Sequence, residues 1–321
     1  MELTTHTPEA IFTHESDLDG FVSGLLLQKL AHKLFGRTVP LYAYNIQAWH
    51  HRNHQEPTAW VSDLAVNASM DRPGWILIDH HPLRHQPRHA QLIHDLNKSS
   101  TALVYELCKQ HGLQTEALDR LVHLCNIADL FQIDHPDFPE ASDYAALIRT
   151  YQFWNLYKLI EGDPEKLLNH PLLQVMRQRR LVEDPIGIEW SLRHIHPITD
   201  QIGYVEIAVG NPSLILHRLL DHPDLPYTVL CTLWEKPNGT IVVSFRSKQG
   251  EAGPLAEQLH GGGHPNAAAA VLPRSVRSVS QALEFLRNFF QHQEKPLQLP
   301  TDSMDAMAEL FAEWDAQQEQ K

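Results

Sequence analysis

The sequence has 321 residues, with 26 Lys and Arg against 39 Asp and Glu, which gives a net charge of −13 at pH 7. This length is enough for two domains, and the acidic balance argues against binding of long duplex DNA, which depends on many contacts between cations and phosphates. The three cysteines are far apart and indicate neither a disulfide framework nor a thiolate zinc site. The first residues do not resemble a signal peptide, and no apolar run is long enough to span a membrane. We therefore expect a cytoplasmic protein that does not contact membranes.

The chain opens with the pattern of a strand, a polar turn and a helix. Apolar residues at 10–13 predict a short strand, and the turn at 14–20 contains one histidine and three acids. From residue 21 onward, apolar side chains recur at helical spacing until Gly36. A helix cap would explain one polar residue of the turn. The whole cluster is better explained if several of these side chains converge on a cation.

The run of apolar residues at 75–78 stops abruptly at Asp79, His80 and His81. Such a run predicts a strand that is buried on both faces of a parallel sheet. The polar triplet would then lie at the carboxyl end of the strand, where open α/β sheets bind their ligands. Carboxylate and imidazole donors suit Mn²⁺, Zn²⁺ or Fe²⁺. A solvated loop is the alternative interpretation.

Two more acids follow predicted elements of the same region. Asp63 follows a strand at 58–62, and Asp129 closes a helix that begins near residue 116. Strands alternating with helices predict a parallel sheet, in which neighbouring strand ends lie about 5 Å apart. Converging carboxylates repel one another unless cations neutralise them, and two divalent metals roughly 4 Å apart would do so.

Three further histidines, at positions 50, 51 and 54, lie in a polar stretch without a regular element to orient them. We expect these side chains to be solvated.

Helical patterns at 140–180 predict a connector, with a hinge at 183–187. Apolar residues at helical spacing at 302–319 predict a docked helix, and a homodimer contact is the alternative.

The C-terminal part begins with strand patterns at 204–209 and 228–233, and an Asn-Gly turn at 236–239 predicts a hairpin with a strand at 240–245. After a short helix come three successive glycines at 261–263. Glycines let the backbone approach a ligand closely and leave amides for phosphate oxygens, although such a triplet is more often a flexible connection.

Taken in order, these blocks resemble the DHH phosphoesterase superfamily, in its branch with a DHHA1 second domain. The blocks are His14-x-x-Asp17-x-Asp19-Gly20, Asp63, Asp79-His80-His81, Asp129 and Gly261-Gly262-Gly263-His264. The resemblance implies an N-terminal α/β/α DHH domain with a parallel sheet and a helical linker at 1–184. It implies a smaller mixed α/β DHHA1 domain at 185–321.

The same resemblance implies two divalent cations, usually Mn²⁺. One would be bound by His14, Asp17 and Asp63, and the other by Asp19, Asp63, His80 and Asp129, with Asp63 shared. His81 would face the scissile phosphate and Asp79 would orient the histidines. The substrate would be held by Arg246, Gly261, Gly262, Gly263 and His264.

From the DHHA1-type second domain, the length and the acidity, we expect hydrolysis of short single-stranded oligonucleotides to 5′-mononucleotides, as in nano-RNases. The alternatives are a 3′-phosphoadenosine 5′-phosphate phosphatase and a phosphodiesterase of linear or cyclic dinucleotides. A nucleotide-binding regulatory module without turnover is a hypothesis of another class. In that case lost ligands would be expected, and none of the acids in the main blocks is replaced.

Overall fold

The computed structural model of the protein describes residues 6–236 and 238–294, so the segment expected to be helical at 302–319 lies outside the described residues. The chain divides into two compact units. Unit one contains Met1–Gly187 and Val209–Asn211, and unit two contains Ile188–Ala208 and Pro212–Lys321. The domain limits of 1–184 and 185–321 stay a prediction.

Unit one is built on a sheet of five strands. They are β1 (Ala10–His14), β2 (Leu41–Tyr44), β3 (Ala59–Ser62), β4 (Trp75–Asp79) and β5 (Gln91–His94). All neighbours in the order β2-β1-β3-β4-β5 are parallel. Every residue of β3 and β4 is buried, as short uninterrupted apolar runs predict. Because the strands are parallel, their carboxyl ends share one edge of the sheet.

The helices of unit one cover this sheet unequally. They are α1 (Leu18–Phe35), α2 (Ile46–His51), α3 (Ser100–Gln110), α4 (Glu116–Asp129), α5 (Phe138–Tyr151) and α6 (Phe153–Leu159), followed by α7 (Leu172–Leu192). The long helices α1 and α3 pack on the sheet and on each other. On the opposite face, the short helix α2 contributes Trp49 to a core that contains Phe12, Trp75 and Leu77. The expected α/β class with a parallel N-terminal sheet is confirmed.

The residues expected to form a hinge, 183–187, are helical and lie within α7, and the division between the two units falls directly after them. The hinge itself stays a prediction. Proline lacks the amide that would donate to the carbonyl four residues earlier, so Pro185 removes one helical hydrogen bond. The helix continues through this position nonetheless. The buried carboxylate of Asp184 accepts a hydrogen bond of 2.9 Å from the backbone amide of Asn211, a contact with a distant part of the chain.

In its described residues, unit two contains a mixed sheet of six strands and three helices. The strands are β6 (Ile195–Pro197), β7 (Ile202–Val205), β8 (Val229–Glu235), β9 (Ile241–Ser247), β10 (Gly262–His264) and β11 (Ala267–Val271). Their order is β10-β11-β9-β8-β7-β6, and only β7 and β8 are parallel neighbours. The helices are α8 (Pro212–Leu219), α9 (Ala252–Gln258) and α10 (Val279–Glu294). The mixed C-terminal sheet and the β8–β9 hairpin are confirmed.

The two faces of this sheet are covered differently. Phe245 and Val243 of β9 lie in a core with α9 and α10, which includes Ala256 and Leu286. Helix α8 packs on the other face, where Leu230 of β8 joins a smaller core. Within the described part of the chain, no helix combines the length and apolar character needed to cross a membrane.

Candidate functional site

The first predicted block joins β1 to α1. His14 ends β1, and its Nδ1 lies 2.6 Å from Oδ2 of Asp17. The other carboxylate oxygen of Asp17 accepts a hydrogen bond of 2.9 Å from the amide of Gly20 and so caps α1. A Cβ at Gly20 would lie 2.2 Å from the carbonyl oxygen of His14, which explains the glycine. Asp17 therefore caps the helix and faces His14 at the same time.

Asp63 lies between the two groups of predicted ligands. It follows β3 with a left-handed backbone, φ 58°, which costs a residue other than glycine about 1–2 kcal/mol. Its amide donates to the carbonyl of Ile78 at 3.1 Å, and its carboxylate is buried. Oδ2 lies 3.7 Å from Nδ1 of His14, and Oδ1 lies 3.5 Å from Nε2 of His80. This position suits the shared role expected for it.

The second group contains Asp19, His80 and Asp129. Nε2 of His80 lies 3.8 Å from Oδ2 of Asp19 and 3.3 Å from Oδ2 of Asp129. The Asp19 oxygens accept hydrogen bonds of 2.8 and 2.7 Å from the amides of Ser100 and Thr101 in the first turn of α3. Each carboxylate oxygen has two lone pairs, so Asp19 keeps capacity for a cation.

The ring of His81 lies against the carboxylate of Asp79, two residues earlier in the chain. Its Nδ1 lies 2.8 Å from Oδ1 of Asp79, which ends β4 and is buried. The backbone carbonyl of His81 lies 2.8 Å from Nε2 of His94 on the next strand. The ring is therefore fixed on one side by a carboxylate, while 28% of its side chain stays exposed.

Burial and mutual repulsion disturb the charges of this cluster. Burial raises the pKa of Asp19 to about 7, and the nearby Asp63 carboxylate adds to this effect. Burial also raises the pKa of Asp129 well above its usual range. Burial alone would lower the pKa of His80, but the carboxylates of Asp63 and Asp19 raise it to about 9. These carboxylates can therefore all be ionised only if enough positive charge lies close to them.

Two histidines stabilise the ionised form of Asp63. Burial would raise the pKa of Asp63, but the nearby rings of His14 and His80 keep it well below its usual range. Burial alone would lower the pKa of His14, whereas the carboxylates of Asp17 and Asp63 raise it to about 11. Burial alone would likewise lower the pKa of His81, which Asp79 raises to about 9.

The predicted metal residues fit divalent cations. Their donor atoms form two groups, each within 4.8 Å: His14, Asp17 and Asp63, and Asp19, His80 and Asp129. The Oδ2 atoms of Asp63 and Asp129 are buried and accept no hydrogen bond from any described residue. Buried carboxylate oxygens without donors are costly unless a cation binds them. Mixed oxygen and nitrogen donors suit Mn²⁺ or a similar metal.

The expected substrate residues of unit two lie on one sheet. The side chain of Arg246 donates to Oγ of Ser213 and to the carbonyl of Phe245, both at 2.9 Å. His264 pairs with Ala267 on β11, and Ala267 pairs with Arg246 on β9. Arg246 and His264 therefore stand in one cross-strand row, on the same face.

The glycine triplet differs from its expected role as a loop of available amides. Gly262 and Gly263 belong to strand β10, and the amide of Gly261 donates to the carbonyl of Ala256 at 2.8 Å. A Cβ at Gly261 would lie 2.2 Å from the carbonyl oxygen of Ala269, and one at Gly263 would lie 2.6 Å from that of Ala267. Close packing of β10 on β11 thus explains these two glycines.

Other histidines occupy different environments. His50 and His51 are exposed on α2, but the expectation of a solvated His54 is wrong. His54 is buried, with its ring centre 4.4 Å from that of Trp49 and 5.2 Å from that of Trp75. Because Trp75 lies far along the chain, the polar stretch around His54 contains no local signal of this burial.

A third group of donor atoms, outside the predicted site, lies near the start of α5. His123, His135 and Asp137 have donor atoms within 4.8 Å of one another. The guanidinium of Arg120 lies 2.5 Å from the Asp137 carboxylate, so a cation already neutralises this acid. We therefore regard this group as an ion-pair network between α4 and α5.

Comparison with known proteins gives a family match and several similar structures. Residues 215–292 match the DHHA1 domain. The fold is similar to that of a pGpG-specific phosphodiesterase, PggH from Vibrio cholerae, at 16% identity and a TM-score of 0.54 over 87% of this chain and 98% of that one. It is similar to exonuclease RecJ bound to manganese, at 15% identity and a TM-score of 0.58 over 88% and 90%.

RecJ from Thermus thermophilus in complex with Mn²⁺ is similar at 17% identity and a TM-score of 0.51, over 90% of this chain and 53% of that one. No curated protein sequence matches the chain. At these identities the structural likeness concerns the fold. Residues 215–292 of unit two thus match the DHHA1 domain, and the likeness along most of the chain to the two phosphodiester-cleaving enzymes is a likeness of fold.

Proposed function

We propose that the protein is a metal-dependent phosphodiesterase that hydrolyses short single-stranded oligonucleotides to 5′-mononucleotides. One observation carries this proposal: two groups of carboxylates and imidazoles meet at Asp63, whose buried Oδ2 accepts no hydrogen bond from a described residue. Such a cluster is suited to cations, and paired divalent cations serve the hydrolysis of phosphoesters. We expect Mn²⁺ as the metal and the cytoplasm as the location.

The residues of the chain have separable roles in this proposal. His14, Asp17 and Asp63 would hold one cation, and Asp19, Asp63, His80 and Asp129 would hold the other. When bound, such cations polarise phosphoryl oxygens and lower the pKa of water. Asp79 orients His81 and raises the pKa of its ring, which favours the protonated form. A protonated ring can donate a hydrogen bond or a proton to the leaving oxygen.

Unit two would bind the substrate through Arg246 and His264. An arginine side chain grips phosphate with parallel hydrogen bonds, and the two residues share one face of the sheet. Short substrates agree with the net charge of −13, which disfavours long duplexes. The similar structures include a pGpG-specific phosphodiesterase and an exonuclease, and both names describe cleavage of nucleotide phosphodiesters.

A phosphodiesterase of linear or cyclic dinucleotides is the second candidate, and the similarity to PggH favours it. A 3′-phosphoadenosine 5′-phosphate phosphatase would use the same chemistry on a smaller substrate. A regulatory module would bind nucleotides in unit two without using the carboxylates of unit one. These candidates differ in substrate length and in turnover, so one panel of substrates separates them.

The test is hydrolysis, with and without Mn²⁺, of labelled RNA from two to seven nucleotides, pGpG, a cyclic dinucleotide and 3′-phosphoadenosine 5′-phosphate. We expect metal-dependent release of 5′-mononucleotides from the short RNAs. The matched control is Asp63→Asn, which keeps the side-chain size and tolerates the left-handed backbone but removes the charge. This variant should stay folded by circular dichroism and lose turnover. Tight nucleotide binding without turnover in the wild type would favour the regulatory module.

A further inference from the structure

The face of unit two that carries Arg246 and His264 extends well beyond these residues. Side chains alternate between the two faces of a strand, so every second residue of β9 shares the face of Arg246. The opposite face belongs to the core under α9 and α10. Helix α8 covers the end of the face near Leu230, and most of the remainder carries partly or fully exposed side chains. We call this remainder the open face.

The second row of the open face consists of small residues. Ser244 lies two positions before Arg246 on β9, and it pairs with Ala269 of β11 and Thr232 of β8. All three are partly exposed. At 3.3 Å per residue, this row lies about 7 Å from the row of Arg246. The side chains of this row are therefore small as well as accessible.

The third row ends in an exposed aromatic ring. Val242 of β9 pairs with Val271 of β11 and with Trp234 of β8. Trp234 is 59% exposed and Val271 is 53% exposed. The ammonium of Lys236 lies 6.0 Å from the centre of the Trp234 ring. This row lies about 13 Å from the row of Arg246.

We propose that the open face binds a single-stranded oligonucleotide, with a base stacked on Trp234 and the backbone running from the row of Arg246 and His264. The proposal rests on the function proposed above. The chain is strongly acidic, yet the three rows contain no acidic side chain. The open face also has a cation at each end, Arg246 and Lys236. Aromatic rings beside cations are the usual platform for single strands.

The spacing of the rows indicates the length of the ligand. A row spacing of about 7 Å is roughly twice the 3.4 Å rise of stacked bases, so each row would accommodate one extended nucleotide. A dinucleotide would then end at the small residues, and a third nucleotide would reach Trp234. The open face would therefore select the length of the substrate, which the cation site does not determine.

A second copy of the chain fits this face less well. A stable interface between proteins buries about 800 Å² on each partner, whereas a tryptophan contributes about 150–250 Å². Trp234 and Val271 are the exposed large apolar side chains of these rows, and the rest are small, polar or buried. This is enough surface for one nucleobase.

The experiment compares Trp234→Ala and Trp234→Phe with the wild type on labelled RNA of two and five nucleotides. The matched control is Glu235→Gln, because Glu235 is also exposed on β8 but points to the other face. For the pentanucleotide we expect Trp234→Ala to lower kcat/KM by about 5- to 150-fold, as base stacking of 1–3 kcal/mol implies. The dinucleotide should be affected less than twofold, and phenylalanine should restore most of the loss.

Binding of the same RNAs, measured by fluorescence anisotropy in EDTA, separates this inference from the proposed function. If hydrolysis is absent but Trp234→Ala weakens binding of the pentanucleotide alone, the proposed function fails and the stacking surface stands. Hydrolysis with equal effects of Trp234→Ala on both lengths, or with none, would overturn the stacking surface. A change of oligomeric state in Trp234→Ala would also overturn it, in favour of a contact between copies.

Discussion

Asp79→Asn tests whether the pair of Asp79 and His81 controls the chemistry. The pKa of His81 stands at about 9 instead of 6.5, and the largest favourable contribution is the hydrogen bond with Asp79. A shift of this size corresponds to roughly 3 kcal/mol at 1.36 kcal/mol per pKa unit. Asparagine keeps the shape of the side chain and removes the charge. We expect the pKa of His81 in the metal-free variant to fall to 6.5 or lower.

The consequence for activity follows from the fraction of protonated ring. At pH 8, a pKa of about 9 leaves roughly 90% of the His81 rings protonated, and a pKa of 6.5 leaves roughly 3%. At these metal-free pKa values, and if the protonated ring is the active form, Asp79→Asn would lose about 30-fold in rate at pH 8 and little at pH 5.5. Bound cations would lower both pKa values, so in the Mn²⁺ enzyme the loss should appear at lower pH, with the basic limb of the variant's pH–rate profile at lower pH than that of the wild type.

Two measurements check this prediction. Histidine NMR titration of the metal-free protein gives the pKa of His81 directly, and kcat/KM between pH 5.5 and 10 gives the profile with Mn²⁺. Asp134→Asn is the control, since Asp134 is exposed and its loss removes the same charge. An unchanged basic limb in Asp79→Asn would refute the assignment of His81 as a proton or hydrogen-bond donor.

Three further predictions concern the cation site and unit two. Mn²⁺ binding at pH 7 should release protons and should strengthen as pH rises from 6 to 9, because ligation needs neutral imidazoles and the pKa values of His14 and His80 are raised to about 11 and 9. Calorimetry in two buffers of different ionisation enthalpy measures the release, and a proton count of zero would contradict the ligand assignment. Gly263→Ala should lower the free energy of unfolding by at least about 2 kcal/mol, since φ is 142° and the Cβ would lie 2.6 Å from the carbonyl oxygen of Ala267. Gly112→Ala, at φ 72° with open space around the Cβ, should cost only about 1 kcal/mol in urea denaturation, and equal losses would argue against the packing of β10. His264→Ala should raise KM more than it lowers kcat if His264 mainly binds substrate, and a collapsed kcat with unchanged KM would move it into the chemistry.

The strand ends of unit one could be predicted from the sequence because their signal is local. Uninterrupted apolar runs such as 75–78 indicate buried parallel strands, and the polar residues that follow must then meet at one edge of the sheet. The same reasoning predicts that Asp63 lies near His14 and His80, as it does in the structure. Whether these residues bind cations stays a prediction.

Features that depend on distant partners could not be predicted. The left-handed backbone of Asp63 is supported by a hydrogen bond with Ile78 of the next strand. The burial of His54 depends on Trp75, far along the chain, and the extended glycines of β10 depend on the carbonyls of β11. The hinge predicted at 183–187 rests on local signals, which show the hydrogen bond lost at Pro185 but not the tertiary contacts that keep α7 continuous.

The hydrogen bonds between Asp19 and the first turn of α3 link the local stability of this helix to the carboxylate cluster. The amides of Ser100 and Thr101 donate to the same carboxylate that faces His80. Whatever shifts or recharges this carboxylate also changes how often the first turn of the helix opens. If Asp19 binds a cation as proposed, hydrogen–deuterium exchange at these two amides would report cation occupancy, because the local opening of α3 would be coupled to the charge of the cluster.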